Sequence, residues 1–374
     1  MKKLLLLDHE PWTIRRKQLF YDLFKEAGFP LEVWDLSQWL YPGISNPDGL
    51  NDEEYLTKIH SYSQYKEKLN TLNASETIII AEIFPFKWKN RLVFKSLSLH
   101  KMEIMKIELY GNTTLKESTY HRLKKLTLAQ YPKAICNKLF NMILQLYNKF
   151  NDIDAPKYLL SSNSTLPLTH HINHPDYEEY MFKEHNRLVE GEYIVFCDIY
   201  FPFHTDLKFL YGVKKLPDAK KYQIQINRYF DALETKYKMP VVIAAHPKAN
   251  YKGNEFGHRK IFKYHTSDLV YFASAVTMHL CNTISYVILG NKPIAFISTD
   301  DYGATAKNRQ RLELLANETL EQPIYNIDRV PLSEIEFNKV DDDIRYKYIY
   351  NYLTSKETEN KRNQDIIIEL RDII

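Results

Sequence analysis

Short, wholly apolar runs alternate along the chain with longer stretches in which apolar side chains recur every three or four positions. A short run without polar positions marks a strand covered on both faces, and a three-to-four spacing marks a helix covered on one. The alternation predicts α/β domains built on parallel sheets. Four leucines, Leu4 to Leu7, place the first strand over 3–7. A helix follows from about Pro11 or Thr13 to Ala27, stopped by Gly28, and then a strand over 31–35. Residues 77–81 and 103–109 read as later strands of the same sheet, with a basic helix near 88–99 between them and another helix over 133–150.

From 151 to 190 the pattern weakens: Ser161 to Thr165 is polar, Pro156, Pro167 and Pro175 interrupt, and His170, His171 and His174 cluster. A second series then begins. Residues 193–197 form a strand, and Tyr222, Ile226, Tyr229, Phe230, Leu233 and Tyr237 line one face of a helix over 218–237. Strands over 241–245, 260–264, 275–278 and 293–297 follow. Between them lie a helix over 267–272, which Thr266 can cap, and one over 282–289, stopped by Gly290. After Asp341 the pattern is helical, and Thr354-Ser355-Lys356-Glu357 has the form of a capping box for the last helix. The organisation expected is an N-terminal domain over 1–150, an inter-domain segment over 151–190, a second domain over 191–340, and C-terminal helices over 341–374 that pack back on the first domain. A length of 374 residues exceeds what one core usually fills.

Composition narrows the chemistry. The ten glycines have neither the spacing of a dinucleotide fingerprint nor that of a P-loop, so any phosphate must be held by other means. The three cysteines, Cys136, Cys197 and Cys281, are far apart, which supports neither a disulfide framework nor a zinc ribbon. A net charge of +3 is too balanced for a dedicated nucleic-acid binder. The distribution is uneven, however. Lys87, Lys89, Arg91, Lys95 and Lys101 occur without an intervening acid, as do Arg122, Lys124, Lys125, Lys133, Lys138 and Lys149. This basic N-terminal surface suits an anionic substrate or a leaflet of acidic lipid, unless acids elsewhere in the fold meet it. The apolar run after Met1 is too short for a signal sequence and no stretch is long enough to span a bilayer, which places the protein in the cytoplasm, with a peripheral contact at the inner membrane. Aromatic residues make up 14%, a share that carbohydrate-handling surfaces and large aromatic cores both show.

In parallel sheets, ligands bind outside the carboxyl ends of the strands. Those positions carry Asp8, His9 and Glu10 after the first strand, Glu82 after another, His246-Pro247-Lys248 after 241–245, and His279, Asn282, Thr283 and Ser285 after 275–278. Asn282 or Thr283 would stand at a helix start, where free N–H groups favour an anion. Each group also has a plainer structural use, as a strand-end bond or a helix cap. His170, His171 and His174, with Asp176, Glu178 and Glu179, lack zinc-site spacing, and Asp341-Asp342-Asp343 reads as the acidic opening of a helix.

The order of strand, His246-Pro247-Lys248, short strand, Thr266 helix, strand, the run His279-Leu280-Cys281-Asn282-Thr283-Ile284-Ser285 and the Lys292-Pro293 strand resembles the C-terminal half of GT-B glycosyltransferases. It is similar in particular to bacterial surface-polysaccharide transferases of the sialyl- and Kdo-transferase groups. Tyr193 to Asp198, continuing through Phe201-Pro202-Phe203-His204, resembles the opening strand of that half. Cys281-Asn282-Thr283 stands where the sialyltransferases carry a Ser-Ser or Ser-Thr pair. The resemblance implies two Rossmann-like domains facing a central cleft. It implies a metal-independent transfer from a nucleotide-sugar, with no cofactor and no bound metal, to a bacterial glycan (capsule, O-antigen or lipooligosaccharide) or a lipid-linked one.

By the same resemblance, Asp198, His204, His246, Lys248, Thr266, His279, Asn282, Thr283 and Ser285 would bind the donor. Asp8, His9, Glu10 or Glu82 would supply the base, with Asp8 foremost because it directly follows the apolar run. A nucleotide-sugar epimerase, a polyol-phosphate transferase and a non-catalytic glycan-assembly protein share the architecture and stay open as alternatives.

Overall fold

The computed structural model describes residues 2–46, 48–82, 87–108, 131–153, 155–167, 169–204 and 216–374. The chain forms two Rossmann-like α/β units, each around its own parallel sheet. The first sheet contains β1 (Lys3–Asp8), β2 (Leu31–Asp35), β3 (Leu56–Lys58), β4 (Thr77–Ala81), β5 (Glu103–Glu108), β6 (Tyr158–Ser161) and β7 (His170–His171). Their order is β3-β2-β1-β4-β5-β6-β7. The second contains β8 (Ile194–Cys197), β9 (Val241–Ala245), β10 (Ile261–Lys263), β11 (Ala275–Met278), β12 (Ile294–Ser298) and β13 (Ile324–Asn326), in the order β10-β9-β8-β11-β12-β13. In both, the chain steps outward through three strands and then returns to the far side of the first. The switch points therefore lie between β1 and β4 and between β8 and β11, the places where such sheets open a crevice for ligands.

The helices used below are α1, which runs through Ile14–Arg16, a π-helical Lys17–Tyr21 and Asp22–Glu26, then α2 (Tyr62–Leu69), α3 (Arg91–Leu99), α4 (Tyr131–Phe150), α5 (Pro175–Phe182), α6 (Ala219–Tyr237), α7 (Thr266–Phe272), α8 (Ile284–Leu289), α9 (Asp342–Tyr348) and α10 (Asn363–Arg371). The four leucines of β1 show why a central parallel strand carries no polar position. Successive side chains point to opposite faces. Leu4 and Leu6 pack with Val33, Ile78, Phe20 and Phe24, and with Ile366, Ile367 and Leu370 of α10. Leu5 and Leu7 pack on the other face with Trp34, Ile79, Tyr65, Val93 and Phe94. In the second unit, α6 lays Tyr222, Ile226, Tyr229, Phe230 and Leu233 against the sheet. Its start is fixed by Asp218, whose carboxylate accepts from the Lys220 and Lys221 amides at 2.9 and 3.2 Å.

Of the described residues, unit 1 gathers those up to Asn173 together with Lys356–Ile374, and unit 2 those from His174 to Ser355. The segment 151–190 is therefore shared: β6 and β7 complete the first sheet, and α5 belongs to unit 2. Of the C-terminal helices, α9 lies in unit 2 and α10 in unit 1.

The capping-box expectation at Thr354 fails. Thr354 follows the π-helical turn Ile349–Leu353, residues 356–360 form turns, and α10 starts only at Asn363. The Asn363 side chain is tied to Asn173 instead. It accepts from the Asn173 amide at 2.8 Å and donates to the Asn173 carbonyl at 2.9 Å. Asp341 does cap α9, accepting from the Asp343 amide at 2.9 Å. Leu109 and the basic residues Arg122, Lys124 and Lys125 lie outside the described residues, as does the side chain of Lys133.

Candidate functional site

Asp8 ends β1 and Glu82 directly follows β4, so the two acids flank the switch point of unit 1. Asp8 is fully buried; its Oδ1 accepts from the Glu10 amide at 3.0 Å and its Oδ2 lies 2.7 Å from Nη1 of Arg16. Arg16 also donates from Nη2 to Glu10 at 3.0 Å, which ties the acids after β1 to the first turns of α1. Burial pushes the Asp8 carboxyl up to about 7, although Arg16 pulls it back. Glu82 is half-buried and its Oε1 has no hydrogen-bond partner. Burial and the nearby Asp8 charge push Glu82 up to about 8. Two carboxyls therefore titrate near neutrality at one crevice.

His9 lies beside them. Its Nδ1 is 2.9 Å from the Glu82 carbonyl oxygen, which can only accept, so Nδ1 carries the proton and Nε2 is the basic nitrogen. Burial lowers its pKa and keeps the ring neutral. The ring packs against Tyr41 at 5.7 Å, and Nζ of Lys89 lies 4.0 Å from the centre of the same tyrosine ring.

In unit 2, Asp198 directly follows β8 at the switch point and is buried. Its Oδ1 accepts from the Tyr200 amide at 2.9 Å, and its Oδ2 accepts from the His246 amide at 3.2 Å and the Tyr251 hydroxyl at 2.8 Å. Burial raises it to about 6 against these donors. The carboxylate thus binds the loop after β8 to the His246-Pro247-Lys248 turn after β9. In that turn the Lys248 amide donates to Nδ1 of His246 at 3.0 Å, which leaves the His246 proton on Nε2. The His204 ring stands edge-on to His246 at 4.8 Å, and Lys248 is exposed beside them. Asp198, His204, His246 and Lys248 are therefore brought together at the carboxyl end of one sheet.

The residues after β11 are placed differently. His279 is fully buried: Nδ1 donates to the Ile297 carbonyl at 2.8 Å, Nε2 meets the Tyr222 hydroxyl at 3.0 Å, and the ring stacks on Tyr302 at 4.5 Å. Burial lowers its pKa to about 4. Both ring nitrogens are used inside the core, which leaves none for a phosphate. Ser285 is also buried and donates to the Asn282 carbonyl at 3.1 Å, while Thr283 donates to the Cys281 sulfur at 3.0 Å. Thr283 occupies the cap position of α8 without a side-chain cap bond, and Asn282 is exposed. Thr266 is the first residue of α7 and His265 holds the cap position. The cap position expected at Thr266 is therefore one residue earlier.

Sequence reading missed Arg16 and Tyr251. Each meets its acid from a loop or helix with no local motif, and only the fold brings them together. His170 and His171 lie in β7, while His174 caps α5 by accepting from the Asp176 amide at 3.0 Å. Among the described residues, no three His, Cys, Asp or Glu side chains gather as a metal would require. No described helix is long and apolar enough to cross a membrane.

No protein-family model matches the chain, and no curated protein does. Several solved structures are similar to it over most of their length. The wall teichoic acid polymerase TagF is 12% identical with a TM-score of 0.49, covering 99% of this chain and 90% of its own. A UDP-GlcNAc 2-epimerase from Methanocaldococcus jannaschii is 10% identical with a TM-score of 0.46 over the whole of both chains. The spinosyn forosaminyltransferase SpnP is 11% identical with a TM-score of 0.40, covering 98% and 94%. The assignment of two Rossmann-like units rests on the strand orders of the chain itself.

Proposed function

We propose that the protein is a glycosyltransferase that moves a sugar from a nucleotide-activated donor to a hydroxyl of a bacterial envelope glycan. The observation that carries this reading is that the two switch points bear complementary chemistry. Unit 1 offers groups that take a proton near neutral pH, and unit 2 offers an amide-and-histidine turn with an exposed lysine. Glycosyl transfer needs both, a base for the acceptor hydroxyl and donors for the departing diphosphate.

In this reading Nε2 of His9 accepts the hydroxyl proton. Asp8 is sealed by burial and by Arg16, so it acts as a positioning residue, and its carboxylate stabilises the imidazolium. The Nε2 proton of His246 and the Lys248 ammonium offset charge on the leaving phosphate, and Asp198 holds their turn in place. Asn282, exposed after β11, completes the donor side.

A thermal-shift screen with UDP-, GDP-, CMP- and CDP-activated donors tests the reading. One nucleotide class should stabilise the protein selectively, as mass action requires, and His246→Ala should abolish the shift. Absence of any shift at millimolar donor would sink the proposal. Consumption of donor without an acceptor would instead identify an epimerase.

A further inference from the structure

Helix α4 is amphipathic in the wrong sense for a helix that only packs on its own unit. Leu144 is buried and Tyr147 half-buried, but Leu139, Met142, Ile143, Leu146 and Phe150 are exposed, Phe150 to 82%. These positions follow the spacing i, i+3, i+4, i+7, i+11, so they form one continuous stripe along a helix of about 30 Å. Trp88, 40% exposed just before α3, extends the stripe sideways through ring contacts with Phe140 at 6.4 Å and Tyr147 at 5.3 Å. The Arg91 guanidinium lies over the Trp88 ring at 4.3 Å.

Within α4 itself the charge is of one sign. Residues 131–150 contain no acid, and Lys138 and Lys149 are exposed next to the apolar positions. Lys87 and Lys89 flank Trp88 and are exposed as well. A second copy of the chain would bring lysine rims together with no carboxylate on either helix to meet them. An anionic, apolar surface satisfies both features at once.

We infer that α4 and Trp88 form a membrane-docking face, which lies in the interfacial layer of a bilayer containing acidic lipid. Leu139, Ile143, Leu146 and Phe150 enter the acyl boundary, Trp88 sits at headgroup level, and the lysines contact lipid phosphate. This face uses none of the residues assigned to sugar transfer, so it stands whether or not that reading does.

Co-sedimentation of the full chain with vesicles tests the inference, without donor or acceptor present. Binding to phosphatidylglycerol–phosphatidylcholine vesicles should exceed binding to pure phosphatidylcholine by at least about tenfold and weaken in high salt. The variant Leu139→Ser/Leu146→Ser/Phe150→Ser, whose changes are all at exposed positions, should lose about tenfold or more in binding with an unchanged melting temperature. Lys138→Glu with Lys149→Glu should remove most of the preference for acidic lipid. The inference is overturned if the wild-type chain stays in the supernatant, or if the serine variant binds as well as wild type. It is equally overturned if sedimentation equilibrium shows a dimer that the serine variant dissolves, with no vesicle binding by either form.

Discussion

Asp8 and Asp198 occupy the same place in two Rossmann-like units, at the carboxyl end of the strand beside the switch point, yet they are held in different ways. Asp8 is met by a cation, Arg16, and has a second acid, Glu82, within its field. Among the described residues, Asp198 is met by a hydroxyl and backbone amides. Burial raises both, but only the first is paired with a cation and stands beside a second acid. One topological position thus yields a charged cluster in one unit and a loop clamp in the other. The fold fixes where a ligand can sit, and the partners of a single carboxylate decide what the place can do.

The clamp is the sharper of the two to break. Asp198→Ala would leave the His246 and Tyr200 amides and the Tyr251 hydroxyl without their acceptor. Destabilisation of about 4 kcal/mol and loss of donor binding are expected by chemical denaturation and calorimetry. A stability change below about 1 kcal/mol would mean that the carboxylate does not hold the two loops. In unit 1, Arg16→Met should cost about 3 kcal/mol at pH 8, where Asp8 is charged, and clearly less at pH 5, where it takes up a proton. An equal loss at both values would show that the arginine acts by packing rather than by charge.

The smallest effect has a sign of its own. Asp8 and Glu82 titrate higher in the folded chain than in the unfolded one, so their contribution is complete below about pH 4 and is lost as pH rises through about 7 to 8. Glu82→Gln should therefore make the protein about 1–2 kcal/mol more stable than wild type at pH 9 and leave it nearly unchanged at pH 5. Denaturation curves at the two pH values read this directly, and a variant that is less stable at pH 9 would contradict the raised carboxyl.

Much of the fold was legible because central parallel strands must be apolar throughout. The runs at Leu4–Leu7 and Val241–Ala245 could hardly be anything else. Strands at or near an edge are only partly covered, and they carry no such run. Leu56–Lys58, Ile324–Asn326 and His170–His171 are half-buried along their length and went unread. The division of 151–190 between the units depends on β6 and β7, and was hidden for the same reason. At the candidate site, strand ends announced Asp8, Glu82 and His246, and the family resemblance added Asp198. Depth did not announce itself: nothing in the letters around His279 distinguishes a ring facing solvent from one sealed between Tyr222 and Tyr302.

The Thr354 capping box failed for a related reason. A capping motif is a local signal, and whether a helix begins at it depends on what the neighbouring segment must reach. Here Asn363 is held by Asn173, far away in sequence, and the helix starts there.

The packing of α10 on β1 has a consequence for biosynthesis. The face of the first sheet that carries Leu4 and Leu6 receives Ile366, Ile367 and Leu370 only after every strand of the second unit has been translated. The unit made first is therefore the unit finished last. While the ribosome works through residues 174–355, a greasy flank of the earlier sheet waits for its cover, and a nascent chain in that condition is a natural client for a chaperone.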